Sequence, residues 1–265
     1  MPWLTRRVSE KPVLGEGRDT ALLLHAGIAD SGMWRSQVES LQAAGYRVLA
    51  PDLRGFGERV LEPSPFSYVR DVAALLNGAT AVVGNSLGGR VALELALYRP
   101  ELVERLVVIA PGLPGWEWSP ETRAGWAKEE AAYESGDLEG AAEASVRMWV
   151  DGPLRAPEDV DPTIRSDVAA MVLRSYALQA HGWEAGAREE DVLDPPVNLR
   201  LHEIRCPTLV IVGDQDVTDM RSIAAHVADS VAGARLVEVA GAAHLPSLER
   251  ADEINALLLA FLANG

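Results

Sequence analysis

The chain has 265 residues, of which 48% are hydrophobic, and its formal net charge at pH 7 is -15. This length and apolar content allow one large core, and the negative charge excludes nucleic acid and anionic membrane surfaces as expected partners. The sequence lacks both a run of about 18 apolar residues and a secretory signal, so it predicts a cytoplasmic protein that spans no membrane. The single cysteine, Cys206, excludes an internal disulfide and is expected to be a buried, inert thiol.

Residues 1 to 112 alternate predicted strands with predicted helices. Short continuous apolar runs indicate buried strands, and amphipathic stretches followed by Gly45 or Gly78 indicate helices. In chain order, the predictions are part of a hairpin over Val8–Leu14, a strand over Ala21–His25, a helix over Trp34–Ala44, a strand over Tyr46–Ala50, a helix over Pro65–Asn77, a strand over Ala79–Asn85, a helix over Leu87–Tyr98 and a strand over Leu106–Ala110.

The same alternation resumes near Cys206. The predicted elements are a strand over Thr208–Val212, a helix over Met220–Val231, a strand over Arg235–Val239 and a helix over Glu249–Leu262. Strands and helices that alternate at this spacing imply an α/β fold with a mostly parallel central sheet and helices on both faces. We therefore assign residues 1–112 and 204–265 to one core.

Residues 113–203, called the insert below, break this pattern. They contain predicted helices over Thr122–Glu134, Leu138–Trp149 and Pro162–Gln179 and no convincing strand. An insert at this point of the chain is expected to form a helical cap over the carboxyl ends of the central strands, where ligands bind in open α/β sheets. Most of the net negative charge lies here, together with five of the seven tryptophans: Trp116, Trp118, Trp126, Trp149 and Trp183.

The segment Gly84–Gly88 has the form G-x-S-x-G, with a predicted strand before it and a predicted helix after it. In that context a sharp turn presents the serine oxygen to solvent, and the glycines leave the turn free of bulky side chains. Ser86 is therefore the candidate nucleophile, and acyl transfer to water is the expected chemistry.

A serine hydroxyl needs a base to accept its proton and an acid to orient that base. Among His25, His181, His202, His226 and His244, only His244 lies in a loop between the last predicted strand and the last helix. For the acid, Asp214, Asp216 and Asp219 compete, and the spacing from the preceding strand favours Asp216 with Asp214 as the alternative. The order Ser86, Asp216, His244 is the order expected for this kind of fold.

An oxyanion hole needs two backbone N–H groups directed at the developing negative charge. Leu87 follows the nucleophile at a helix N-terminus and is expected to provide one of them. Gly27, in the loop after the first strand, is expected to provide the other, while His25 is expected to brace that loop.

With these features the chain resembles the α/β-hydrolase superfamily over nearly its whole length, and most of all small bacterial capped hydrolases such as enol-lactone hydrolases and ring-cleavage-product hydrolases. The resemblance implies a serine hydrolase with a helical cap, the triad Ser86, Asp216 and His244, and neither cofactor nor metal. It rests on Leu24–Gly27, Met33–Trp34, Pro51–Gly57, Gly84–Gly89, Gly213–Asp216, Ala243–Pro246 and the closing run Leu248–Leu262.

Three positions bear on the expected activity. Ala26 separates His25 from Gly27, where the family often has His-Gly, and Glu58 stands where the family usually has serine. Glu58 would disfavour anionic substrates if it reached the site, but a solvated loop position is expected. Serine rather than aspartate at position 86 argues against a haloalkane dehalogenase, which needs a carboxylate nucleophile.

The expected substrate is a small, neutral, moderately apolar ester or lactone, cleaved with water by a carboxylesterase-like or lactonase-like enzyme. Candidates for the pocket wall are His25 and Ile28 together with the five tryptophans of the insert. An apolar cap that opens would also offer a surface for a homo-oligomer.

Two alternatives remain open from the sequence. A carbon–carbon bond hydrolase of diketone-type ring-cleavage products would use the same three residues, with Arg90 as a candidate for its acidic dienol if that side chain is not simply on the helix surface. A ligand-binding receptor with vestigial hydrolysis could also use this fold.

Overall fold

A computed structural model describes residues 19–187 and 189–263, and the predicted hairpin segment Val8–Leu14 lies outside these ranges. Its centre is a six-stranded parallel sheet with strand order β2-β1-β3-β4-β5-β6. The strands are β1 (Thr20–Leu24), β2 (Arg47–Leu49), β3 (Thr80–Asn85), β4 (Val103–Ile109), β5 (Thr208–Gly213) and β6 (Arg235–Val239).

The helices follow the strands in the order that the sequence predicts. They are α1 (Arg35–Ala43), α2 (Tyr68–Ala73), α3 (Leu87–Tyr98), α4 (Pro120–Glu134), α5 (Leu138–Val146), α6 (Pro162–Glu184), α7 (Thr218–Ser230), α8 (Pro246–Glu249) and α9 (Ala251–Ala263). The expected α/β fold with a mostly parallel sheet is confirmed. No helix of the described chain is both long enough and apolar enough to cross a membrane.

The apolar strands are buried because helices cover both faces of the sheet. Every residue of β3 and β5 is buried, as expected for central strands of a parallel sheet. Side chains alternate between two cores, with Val82 and Val108 on one face and Val83 and Val107 on the other. The sheet is therefore a rigid platform whose carboxyl ends can hold functional loops in place.

Two predicted helices have different bounds in the structure. The helix expected over Pro65–Asn77 is reduced to α2, because Phe66 is extended and forms an isolated bridge with Glu190. The helix expected over Leu138–Trp149 is α-helical only to Val146 and continues as a π-helical turn over Arg147–Asp151. Such turns are frequent at functional sites, and this one contains Trp149.

Helices α4, α5 and α6 lie in the insert, between β4 and β5 of the sheet. The start of α4 is attached to the start of α7 by Asp219, whose carboxylate accepts hydrogen bonds from the hydroxyls of Ser119 and Thr122 at 2.6 and 2.5 Å. Burial raises the pKa of Asp219, but hydrogen bonds from Ser119, Thr122 and Trp116 outweigh burial and hold the pKa below its usual value. This carboxylate therefore fixes one end of the insert and is not free to orient a base.

Candidate active site

Ser86 lies in the turn between β3 and α3, at φ 53° and ψ -111°. Positive φ is uncommon for a residue with a side chain, and such strain is concentrated at functional sites. The flanking glycines are required by close packing: a Cβ added at Gly84 would lie 2.2 Å from the Gly88 carbonyl oxygen, and one at Gly88 would lie 2.1 Å from that of Leu24. The motif is therefore a sterically enforced turn that presents Ser86 at the end of the central strand.

The structure brings His244 and Asp216 together at the carboxyl ends of the strands. His244 Nδ1 lies 2.8 Å from Asp216 Oδ2, and the side chains are only 2% and 0% exposed. Asp216 Oδ1 accepts a hydrogen bond from the Val217 N–H at 2.8 Å, which fixes the carboxylate. A carboxylate can only accept, so Nδ1 carries the proton and Nε2 of the neutral ring remains an acceptor.

The competing aspartates have other partners. Asp214 accepts a hydrogen bond from the Gly241 N–H at 2.7 Å and thus supports the loop that carries His244, while Asp219 binds the start of α4 as described above. Of the other histidines, His226 contacts Asn198 at 3.0 Å, and His181 and His202 lie at the ends of α6 and of a short 3-10 helix.

The loop of His244 is held by residues that the sequence did not single out. Glu249 accepts a hydrogen bond from the Ala243 N–H at 2.8 Å, and Arg155 binds both Glu249 at 2.6 Å and the Gly241 carbonyl at 3.0 Å. The His244 carbonyl accepts from Asn85 at 3.2 Å, and its N–H donates to the Trp149 carbonyl at 3.2 Å. Arg155, Asn85 and Trp149 are far from this loop in the chain, so only the fold reveals their contacts with it.

The expected oxyanion-hole residues are close neighbours. Leu87 is the first residue of α3, so its N–H has no acceptor within the helix. A Cβ added at Gly27 would be 3.6 Å from the Leu87 Cβ, and the Gly88 N–H donates to the His25 carbonyl at 3.0 Å. These contacts bring the first loop beside the turn of Ser86, as two cooperating N–H donors require.

A cavity of about 650 Å³ opens beside Ser86. This volume is typical of small-molecule sites. Its wall combines loops at the ends of the strands with aromatic and acidic residues of the insert. The residues that line it are Gly27, Ile28, Ser86, Trp126, Glu129, Glu130, Tyr133, Trp149, Tyr176, Gln179, Trp183 and His244.

Some residues predicted for the pocket wall lie elsewhere. His25 is fully buried, accepts from the Leu53 N–H at 2.9 Å and donates to the Ala26 carbonyl at 2.8 Å, so it braces the loop. Trp116 donates to Asp219 at 3.3 Å, and Trp118 packs edge-to-face on Trp126 with ring centroids 4.9 Å apart. Ile28, Trp126, Trp149 and Trp183 line the cavity.

The acids and tyrosines of the cavity were not predicted from the sequence, although the sequence contains a helical signal for them. Trp126, Glu129, Glu130 and Tyr133 recur at the spacing of one helix face. Tyr176, Gln179 and Trp183 recur in the same way on α6. The helical spacing of the polar and aromatic residues on these two faces is therefore the signal that predicts the cavity wall.

The structure also shows the surroundings of Arg90 and Glu58, two charged residues that the sequence left open. Arg90 is not a surface residue: its side chain is 11% exposed and binds Glu94 and Glu190 at 3.2 and 2.6 Å. It is absent from the residues that line the cavity. Glu58 is exposed, as expected, and its N–H donates to Asp52 at 3.1 Å.

Within residues 19–187 and 189–263, no group of three His, Cys, Asp or Glu side chains has the proximity that a metal ion would need. The cavity itself offers hydroxyl, imidazole, carboxylate and aromatic groups. These are the groups for proton transfer and nucleophilic attack on a small molecule.

Comparison with known proteins finds relatives that match most of the length of this chain. Similar proteins include a pimeloyl acyl-carrier protein methyl ester esterase of Nitrosospira multiformis, 28% identical, with 94% of this chain and 95% of the relative covered. A 2-hydroxy-6-oxononadienedioate/2-hydroxy-6-oxononatrienedioate hydrolase of Paraburkholderia xenovorans is 26% identical, with 94% and 89% covered.

Among solved structures, Est816, described as an N-acyl homoserine lactone degrading enzyme, matches with a TM-score of 0.74 and 26% identity, with 93% of this chain and 94% of that chain covered. The model of the α/β-hydrolase family matches residues 21–257. Within the described part of the chain, this range includes the strands β1 to β6 except the first residue of β1, and the helices α1 to α9 except the end of α9. The chain therefore belongs to the α/β-hydrolase family.

Proposed function

We propose that the protein is a serine hydrolase that cleaves a small, moderately apolar carboxylic ester or lactone through an acyl-serine intermediate. The observation that carries this proposal is the buried hydrogen bond between His244 and Asp216 beside the strained turn of Ser86, with Ser86 and His244 on the wall of one cavity. Nucleophile, base and orienting acid are the three components that acyl transfer requires.

The chemistry proceeds in two halves. His244 Nε2 accepts the proton of Ser86 as its Oγ attacks the carbonyl carbon, and the oxyanion accepts hydrogen bonds from the N–H groups of Leu87 and Gly27. The protonated His244 then gives its proton to the leaving alcohol oxygen and the acyl-serine forms. In the second half, His244 takes a proton from water, the resulting hydroxide attacks the acyl-serine, and Ser86 leaves with that proton while the acid is released.

The carbon–carbon hydrolase alternative is favoured by the relative from Paraburkholderia xenovorans, whose name specifies a dioate substrate. The charge of this cavity argues against such a substrate here. Glu129 and Glu130 are on the wall, and its described residues include neither arginine nor lysine. A dicarboxylate would be repelled without a compensating cation.

The test is hydrolysis of p-nitrophenyl acetate, butyrate and octanoate by the wild type, Ser86→Ala and Ser222→Ala, an exposed serine of α7. We expect Ser86→Ala to lose at least a thousandfold in kcat, by analogy with other triads, and Ser222→Ala to retain wild-type rates. Circular dichroism checks the fold of each variant. Equal rates for folded wild type and Ser86→Ala would refute acyl-serine catalysis.

A further inference from the structure

The cavity beside Ser86 has an unusual wall. Five aromatic side chains face it, namely Trp126, Tyr133, Trp149, Tyr176 and Trp183, and two carboxylates, Glu129 and Glu130, lie among them. Both carboxylates are on α4, one turn from Trp126 and Tyr133. The aromatic surface is continuous with the catalytic groups, because the rings of Trp149 and His244 are 4.5 Å apart.

Glu129 is half-buried and, unlike the carboxylates that pair with arginines, has no cationic partner among the described residues. Asp151 is paired with Arg165 and Glu249 with Arg155, and Arg90 is shared by Glu94 and Glu190. The neighbours of Glu129 are neutral hydroxyls instead: Tyr176 donates to Glu129 at 2.6 Å, and the hydroxyl of Ser145 also lowers its pKa. Burial raises the pKa of Glu129 against the opposing effect of these two hydroxyls, so its negative charge is not fully compensated.

The surrounding rings add a second attraction for positive charge. Aromatic faces attract ammonium groups through their quadrupoles, and the effect strengthens as the cation is desolvated. Tyr133 and Tyr176 stack edge-to-face with centroids 5.1 Å apart, and the Tyr176 hydroxyl binds Glu129. Rings and carboxylate therefore converge on the same part of the cavity, which is the arrangement that binds a substituted ammonium ion.

We propose that the ester or lactone hydrolysed here carries a positively charged ammonium group, which Glu129 and the aromatic rings of the cavity bind while Ser86 attacks the carbonyl. This inference rests on the proposed hydrolase function and narrows the neutral substrate expected from the sequence. Glu130, which is exposed, adds negative potential at the opening and favours entry of cations over anions.

The experiment uses esters that differ only in charge. On the acyl side, p-nitrophenyl esters of 4-(trimethylammonio)butyrate, 5,5-dimethylhexanoate and hydrogen glutarate provide a cation, its neutral isostere and an anion. On the alcohol side, acetylcholine is compared with 3,3-dimethylbutyl acetate. One of the two series places the ammonium group on the side of the carbonyl that faces Glu129. In that series we expect kcat/KM for the cation to exceed that of the isostere about tenfold, the order expected for a cation held by aromatic rings.

Glu129→Gln is the informative variant, because it keeps the hydrogen-bonding shape and removes the charge. The cation-to-isostere ratio should fall severalfold, to the preference that the aromatic rings alone provide, while Glu121→Gln, an exposed acid in the first turn of the same helix, should keep the wild-type ratio. A ratio of one or less in both wild-type series, with Ser86-dependent hydrolysis of the isosteres, would overturn this inference and leave the proposed function intact.

A binding measurement separates the two proposals if no ester is turned over. Benzyltrimethylammonium is titrated against the wild type and Glu129→Gln, with tryptophan fluorescence as the signal. Saturable quenching by the wild type, with a Kd that is about tenfold higher in Glu129→Gln, would support the cation site even though the hydrolase proposal had failed. Absence of binding, or equal binding by both proteins, would overturn the cation site.

Discussion

Asp214, Asp216 and Asp219 lie within one short stretch of sequence, and their surroundings give each carboxylate a different task. Asp214 accepts from the Gly241 N–H, Asp216 from His244, and Asp219 from the hydroxyls of Ser119 and Thr122. The spacing along the chain favours Asp216 but does not determine the partners, because all three partner loops are remote in sequence. At the residue scale, the contacts rather than the residue types distinguish the acid that would orient a base.

Asp216→Asn tests that role. The asparagine side chain keeps the shape but can donate a hydrogen bond to Nδ1, so His244 would favour the tautomer with its proton on Nε2 and could not accept one from Ser86. We expect kcat for a p-nitrophenyl ester to fall about a thousandfold to ten-thousandfold, as in other triads that receive this change. KM should change little by comparison.

Asp214→Asn is the matched control, because it makes the same change two residues away. It retains the side-chain oxygen that can accept from the Gly241 N–H, so we expect a loss of less than tenfold. If Asp214→Asn were the more damaging of the two folded variants, the assignment of Asp216 would be wrong.

At the scale of elements, Arg155 and Glu249 form a clamp that connects the insert to α8 and holds the loop of His244. Arg155 follows the π-helical turn and donates to the carbonyls of Val150, Asp151 and Gly241 as well as to Glu249. Glu249, in α8, in turn accepts from the Ala243 N–H. A single guanidinium with several rigid donors can hold three segments at once, which a lysine cannot do.

Arg155→Met should therefore affect both stability and catalysis. It leaves Glu249, whose side chain is 4% exposed, without its cation, and breaking a buried pair in this way costs about 3–5 kcal/mol. We expect a lower urea midpoint and, through a misplaced His244, a fall in kcat of about tenfold. Arg155→Lys should restore only part of both losses.

The double variant Arg155→Met with Glu249→Gln separates charge from positioning. Removing the uncompensated Glu249 carboxylate should recover much of the lost stability. The kcat should stay low, because Arg155 no longer links the carbonyls of Val150 and Asp151 to that of Gly241. Recovery of both together would mean that Arg155 acts only through the buried charge.

How much of this could be predicted depends on the range of the interactions. The strands were predictable because a doubly covered parallel sheet has continuous apolar segments such as Leu209–Val212, and the turn of Ser86 because its motif is local. The interpretation of Arg90 as a surface residue was wrong because its partner Glu190 lies 100 positions away. The clamp of Arg155 was not found for the same reason, since no local pattern predicts it.

At the scale of the whole molecule, Arg90 joins the sheet core to the last part of the insert, which follows α6. Its guanidinium binds Glu94 within α3 and Glu190 in that part of the insert, and it lies over the ring of Tyr68 at 5.8 Å. Two carboxylates share this one cation, so the cluster keeps one uncompensated negative charge when both are ionised. Burial, with Glu190 adding to it and Arg90 opposing it, raises the pKa of Glu94 to about 7.

This buried carboxyl makes stability depend on pH in a defined direction. The folded state holds the proton of Glu94 up to a pH of about 7, whereas the unfolded chain releases it near the ordinary value of 4.5. Stability from this group is therefore fully present below the lower value and is lost as the pH rises through the upper one. The loss amounts to roughly 3 kcal/mol at about 1.4 kcal/mol per pKa unit.

Glu94→Gln should abolish that dependence, because the amide does not titrate. Burying an amide NH₂ beside Arg90 also destabilises the variant, but by the same amount at every pH. The measurement is therefore the difference in unfolding free energy between variant and wild type, compared between two pH values. Urea unfolding at pH 4.5 and pH 8 should show this difference shifting by roughly 3 kcal/mol in favour of Glu94→Gln at the higher pH. Glu134→Gln, at an exposed position of α4, should show no such shift. Parallel pH profiles for wild type and Glu94→Gln would mean that the pKa of Glu94 is the same in the folded and unfolded states, with Arg90 compensating its charge in spite of burial.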